Sequence, residues 1–226
     1  MISVHPTSND LMTQFVYRTL LNAMACPGTV HSLRRCAAEK SDEFRDSPGS
    51  SCALFPELRW IALSLLDAET PFAVCGENAK QWTASIARLT MAPSVHRFEE
   101  AAYVINSRSV GAVAATCCAS IDRGTLEAPH RGATVIHLVA ALAAPPVGAG
   151  QVHLGESLRL LLRGPGIDDV QPLRVDGWDE AWLTGREVLN REYPMGVDFV
   201  LVDPMGFVAA LPRTTRVIKE AESWAM

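Results

Sequence analysis

The run Arg213-Thr214-Thr215-Arg216 sets two guanidinium groups and two hydroxyls side by side. A guanidinium grips a phosphate or a carboxylate through two parallel hydrogen bonds, and a hydroxyl can add a third. The run follows Phe207 to Leu211, an apolar stretch that reads as a strand and would fix where the backbone lies. Pro212 donates no backbone hydrogen bond, which suits a strand end. The alternatives are a solvated or partner-facing strand end and an intramolecular pair. His130 and Arg131 form a second candidate group, in a loop just before the apolar run Ala133 to Val139. Such loops often line sites; a solvated turn is the alternative. Arg213, Thr214, Thr215, His130 and Arg131 are therefore the possible contacts for an anion or a partner.

Other reactive side chains point less clearly to chemistry. Cys117 and Cys118 are adjacent, so they diverge on a helix or a strand and cannot chelate one metal together. They read as small buried hydrophobes. His137, between Val135 and Val139, reads as a core or interface histidine before a ligand. Arg163-Gly164-Pro165-Gly166 lacks the rest of a phosphate loop and reads as a tight turn. There is no GxSxG elbow, no HExxH and no Rossmann glycine triplet. The six cysteines show no CxxC pair and no zinc-module spacing, and reduced thiols are the expectation. No catalytic residue, metal or cofactor site is assigned.

The elements that would position these groups follow from pattern. At 226 residues and 48% hydrophobic, the chain can build a large core without disulfides or metal. A net charge of -5 argues against nonspecific nucleic-acid binding. The first residues carry no basic run followed by an apolar one, and Ala133 to Val147 is too short and interrupted to span a membrane. A cytoplasmic protein is expected. Helices are expected from an N-cap at Ser8 to Asp10 up to Cys26-Pro27-Gly28, over Leu54 to Asp67, over Asn78 to Leu89, over Ser109 to Ala119, and after Asp179. Strands are expected at Thr29–Leu33, Pro71–Cys75, Ala101–Ile105, Ala133–Val139 and Leu158–Leu162. Val197 to Val202 and Phe207 to Leu211, joined by Asp203-Pro204-Met205-Gly206, form a hairpin buried on both faces. The polar stretch Ala37 to Ser51 reads as a loop. The fold class is α/β: one domain over residues 1–226, a mixed central sheet with helices on both faces, and hairpins late in the chain. Two apolar stretches, Gly111 to Ala119 and Ala133 to Val147, could be covered in part only by association.

Six segments, in order, carry a resemblance: Phe15 to Gly28, Leu65 to Pro71, Ala128 to Thr134, Leu162 to Ile167, Tyr193 to Asp198, and Leu211 to Thr215. Together they resemble the PhnH family, the H subunit of the bacterial carbon–phosphorus lyase core complex. The resemblance implies a part in organic phosphonate catabolism, supporting the early step that joins a phosphonate to the ribose of a purine nucleotide. It implies a fold like the large domain of pyridoxal-phosphate-dependent transferases without the cofactor site. It implies a homodimer that assembles with the G, I and J subunits, and no independent activity. The alternatives are a self-sufficient transferase-like enzyme and a small-anion-binding module. His130 stands where the family commonly has an acidic residue. Covalent pyridoxal phosphate needs a lysine at a strand or loop end. Of Lys40, Lys80 and Lys219, one falls in the polar loop, one at the start of a polar helix and one in the charged C-terminal tail.

Overall fold

The computed structural model describes residues 7–38, 54–143 and 157–220. Helix α1 (Ser8–Ala25) begins at Thr7, one residue before the expected cap. Thr7 wins because Asp10 can answer it: the Thr7 side chain accepts from the Asp10 amide while Asp10 accepts from the Thr7 amide. Met12, Val16, Leu20 and Ala23 form its buried stripe, and Leu11 lies off it, half exposed. Then come β1 (His31–Ser32), α2 (Arg35–Ala38), α3 (Pro56–Leu65), β2 (Phe72–Gly76), α4 (Ala79–Thr90), β3 (Tyr103–Ser107) and α5 (Gly111–Ser120). The rest is β4 (Thr134–Leu138), β5 (Ala141–Ala143), β6 (Ser157–Arg163), β7 (Gln171–Asp176), α6 (Glu180–Leu189), β8 (Asp198–Val202), β9 (Phe207–Leu211) and β10 (Arg216–Lys219). Asp179 caps α6 by accepting from the Ala181 amide.

The main sheet has six strands in the order β1-β9-β8-β4-β3-β2. Strands β2, β3, β4 and β8 run parallel, while β9 and β1 are each antiparallel to their neighbours. The mixed sheet, the central place of β4 and the buried β8–β9 hairpin follow the sequence pattern. Alternation along the strands fills two cores. Phe72, Ile105, Ile136 and Val200 pack with α1, α3 and α4 on one face. Cys75, Val104, Val135 and Phe199 pack with α5 and α6 on the other.

That second face is also covered by a second sheet, four-stranded and ordered β10-β6-β7-β5, which replaces the expected helices-only layer. Leu158, Leu160, Leu162, Leu173 and Val175 are its buried contribution. Three of its strands escaped the pattern for physical reasons. Strand β5 is three residues long, β10 lies in a basic run, and β7 has only Leu173 and Val175 as an apolar face, alternating with Pro172, Arg174 and Asp176. Lys219, expected in a tail, lies in β10. The described part of Ala133 to Val147 forms β4 inside the main sheet and β5, a half-buried edge strand of the second, whereas Gly111 to Ala119 lies on α5, whose Val113 is 56% exposed. Most of the polar Ala37 to Ser51 stretch, with Lys40, lies outside the described residues. Among the described residues no helix is long and apolar enough to cross a membrane.

Candidate functional site

Three of the sequence segments named above converge on a fourth, residues 211–215. Asp198 opens β8, and Arg213 lies past the end of the antiparallel β9, so the hairpin brings the two together. The Arg213 amide donates to Asp198 Oδ1 at 2.7 Å. Its guanidinium grips the same carboxylate through Nε at 3.1 Å and Nη2 at 2.7 Å. Nη1 donates to the Pro129 carbonyl at 2.7 Å and Nη2 to that of Gly132 at 3.4 Å. The fork that suits an external anion is thus filled by an internal one. Gly132 is required there: a Cβ would meet Arg213 Nη1 at 2.9 Å and the Gly196 carbonyl. His130 and Arg131 sit exposed on the one-turn helix Pro129–Arg131, whose first carbonyl Arg213 holds. Thr214 is half-buried against the turn at Gly164, where a Cβ would stand 3.0 Å from the Thr214 carbonyl.

A second arginine reaches the same turn from beneath. Arg186 is buried on the inward stripe of α6 with Trp182 and Leu189. Its Nη2 donates to the carbonyls of Pro212 at 2.7 Å and Thr215 at 3.0 Å, and its guanidinium lies 5.9 Å from the Phe199 ring centre. Burial lowers its pKa to about 10, and Asp198 opposes that shift. Thr215 is buried, and among the described residues neither its Oγ1 nor Arg186 Nε has a partner. Of the anion-contact candidates, Arg213 and Thr215 therefore face inward, and His130 and Arg131 face outward. Asp198 closes one of the six resembling segments, and Arg186 lies in none of them. A charged residue at i+4 from Trp182 on an apolar stripe was the available signal.

In open α/β sheets, ligands bind at the carboxyl ends of parallel strands. Here the Arg213 cluster gathers at the amino ends of β4 and β8, and the carboxyl ends are plugged. Asn106 near the end of β3 accepts from the Ser109 amide at 2.9 Å, from Ser109 Oγ at 2.6 Å and from Cys75 Sγ at 3.4 Å. Its amide nitrogen lies 3.1 Å from each ring nitrogen of His137 and donates to whichever carries no proton. Trp182 donates to Ser109, and its ring stands edge-on to His137 at 5.0 Å, with Trp178 at 5.8 Å. Burial drives the His137 pKa down to about 3. A neutral imidazole sealed under two indoles has no route to a substrate in water. Cys117 and Cys118 are buried on α5, and burial pushes Cys118 up to about 12. Cys118 packs on Gly185 of α6, where a Cβ would stand 2.5 Å from its sulfur.

No cluster of three or more His, Cys, Asp or Glu suited to a metal occurs among the described residues. A resting pyridoxal-phosphate Schiff base does not fit the described lysines. Lys80 is exposed in the first turn of α4, and Lys219 pairs with Glu180 at 2.9 Å on the surface. A groove of about 940 Å³ opens between α5, residues 121–124 and α6, with Ile121, Ala181 and Val188 on its walls.

The bacterial phosphonate metabolism protein family, PhnH, matches residues 7–218. The chain belongs to the PhnH family. It is also 40% identical over 94 residues to a Stutzerimonas stutzeri protein named "Putative C-P lyase subunit protein HtxG". That alignment spans 42% of each chain, so the chain matches well under half the length of this relative. Residues 128–134, 162–167, 193–198 and 211–215 meet in one tied knot rather than in an open pocket.

Proposed function

We propose that this chain is a subunit of a carbon–phosphorus lyase assembly, supporting the early step that joins a phosphonate to the ribose of a purine nucleotide. On this reading it catalyses nothing alone. It pairs with a second copy and joins the G, I and J subunits. The observation that carries the reading is the family match over residues 7–218, and the likeness to a relative named as a C–P lyase subunit supports it. The inward direction of the reactive groups favours a supporting role over catalysis: His137, Cys117, Cys118 and Arg186 are all buried.

For pairing with a second copy we propose the α5–α6 groove. Val113 and Val188 are half exposed beside it, and obligate interfaces are more apolar than free surface. His130 and Arg131 are the residues we assign to contact with an anion or partner, on a turn that Arg213 helps to position. Co-expression with the other subunits should yield one co-eluting complex, while the isolated chain should give no turnover of a phosphonate with a purine nucleotide. Turnover by the isolated chain overturns the supporting role. A strictly monomeric species by light scattering at micromolar concentration overturns the pairing.

A further inference from the structure

The outer face of the second sheet differs from the rest of this acidic chain. Alternation along β6 turns Leu158, Leu160 and Leu162 inward and sends Arg159, Leu161 and Arg163 outward. The register places Arg163 directly opposite Arg216 on β10, and Arg159 directly opposite Arg174 on β7. Between these two arginine rows lies an apolar row, with Leu161 flanked by Ile218 and Pro172. Four residues of extended strand separate the rows by about 13 Å.

Like charges directly opposite each other destabilise a sheet, so two such pairs on one face call for a counter-charge. The chain supplies it incompletely. Arg174 is buried and matched by Asp176 at 2.9 Å, which leaves Arg159 as the exposed member of its row. Arg163 has Asp169 at 3.8 Å, with both side chains more than half exposed. Arg159 and Arg216 are exposed. Glu220 sits beside Arg159 at a shallow cavity of about 350 Å³ that Leu161 and Pro172 help to line.

We propose that this face docks an acidic amphipathic segment of a partner protein. Carboxylates about 13 Å apart would meet Arg163 and Arg216 in one row and Arg159 in the other. An apolar side chain between them would rest on Ile218, Leu161 and Pro172. A single phosphate gripped by one row leaves the other row and the apolar row uncovered. A nucleic-acid strand would carry its phosphates across that apolar row, and the chain as a whole carries -5. The proposal rests on the subunit reading above, which supplies the partner proteins.

The test is Arg163→Glu in the full chain, co-expressed with the other carbon–phosphorus lyase subunits. Opposite Arg216 the new carboxylate turns a like-charge pair into an opposite-charge pair, so the melting temperature should hold or rise. Affinity for the other subunits should nevertheless fall about tenfold, and added salt should weaken the unmodified chain more than the variant. A merely structural role for Arg163 would lower the melting temperature instead. Benzoylphenylalanine placed at Ile218 should crosslink to a partner peptide with acids on both sides of an apolar residue. Normal joining by Arg163→Glu overturns the docking proposal alone. Failure of the unmodified chain to join at all overturns the subunit reading and this proposal with it. A crosslink to a peptide lacking those acids, or to nucleic acid, assigns the face another occupant and overturns the proposal.

Discussion

The carboxyl edge of the main sheet and the outer face of the second sheet treat polar groups in opposite ways. At the edge, Asn106, Ser109, Cys75 and His137 satisfy one another, and Trp178 and Trp182 close over them. On the outer face, Arg159, Arg163 and Arg216 stand in solvent with little to neutralise them. A catalytic crevice would reverse this arrangement, with unsatisfied groups converging inside and an indifferent exterior. The difference teaches that the polar groups at the carboxyl edge hold the fold, while the guanidinium groups of Arg159, Arg163 and Arg216 face solvent.

The strongest way to break the comparison is to open the edge. Trp182→Ala removes a fully buried indole and its hydrogen bond to Ser109, and should cost about 4 kcal/mol of unfolding free energy by chemical denaturation. A loss under about 1 kcal/mol would mean that the plug collapses without strain and that the edge is less tightly sealed than described. Next in size is the tie at Arg213. Arg213→Ala strands a largely buried Asp198 and should cost about 3 kcal/mol, with Arg213→Lys recovering only part because it lacks the fork. Both variants should lower the melting temperature before they alter assembly of the folded fraction. Unchanged stability with lost assembly would move Arg213 from the interior class to the contact class.

A third effect is graded by pH. The unfolded chain protonates His137 near 6.5, whereas the folded chain does so only near 3, because the buried site excludes the charged ring. Its contribution is therefore fully present above about pH 6.5 and falls by about 1.4 kcal/mol for each pH unit as pH drops toward 3. Buried Glu57 and Asp203 have raised pKa values, so their protonation favours the fold and opposes the trend at the acid end. Urea titrations of the wild type and His137→Gln at stepped pH should show the histidine slope only in the wild type. The smallest effect sharpens the comparison by its absence. Pyridoxal phosphate should give no aldimine band, and borohydride should add no mass at Lys80 or Lys219. A stable adduct on either would mean that a site exists where only surface is described.

Long apolar runs made the main sheet legible in the sequence. Strand β4, the β8–β9 hairpin and the helices between β2 and β4 lie within a few residues of expectation, because burial on both faces demands such runs. Of the second sheet only β6 was legible. The sheet's middle strand β7 buries Arg174 and Asp176 against each other, and a pair that neutralises itself across two residues reads as loop until its register is known. The candidate site was half legible. Arg213 stood out by type, but its partner Asp198 lies fifteen residues earlier in the chain, and only the hairpin closes that distance. Arg186 was hidden because a cation on an apolar stripe reads as a solvated face, whereas carbonyls of Pro212 and Thr215 cradle it.

The turn that both arginines hold is also the place where the chain changes sheets: β9 belongs to the first sheet, and β10, starting at Arg216, to the second. Arg186 anchors this crossing to α6, and Arg213 anchors it to β8 and to the turn before β4. A load applied to the arginine face thus has a short path, one peptide bond from Arg216 to Thr215, into the centre of the molecule. The crossing works as a welded joint rather than a hinge, and a partner seated on the outer sheet would grip the whole main sheet through it.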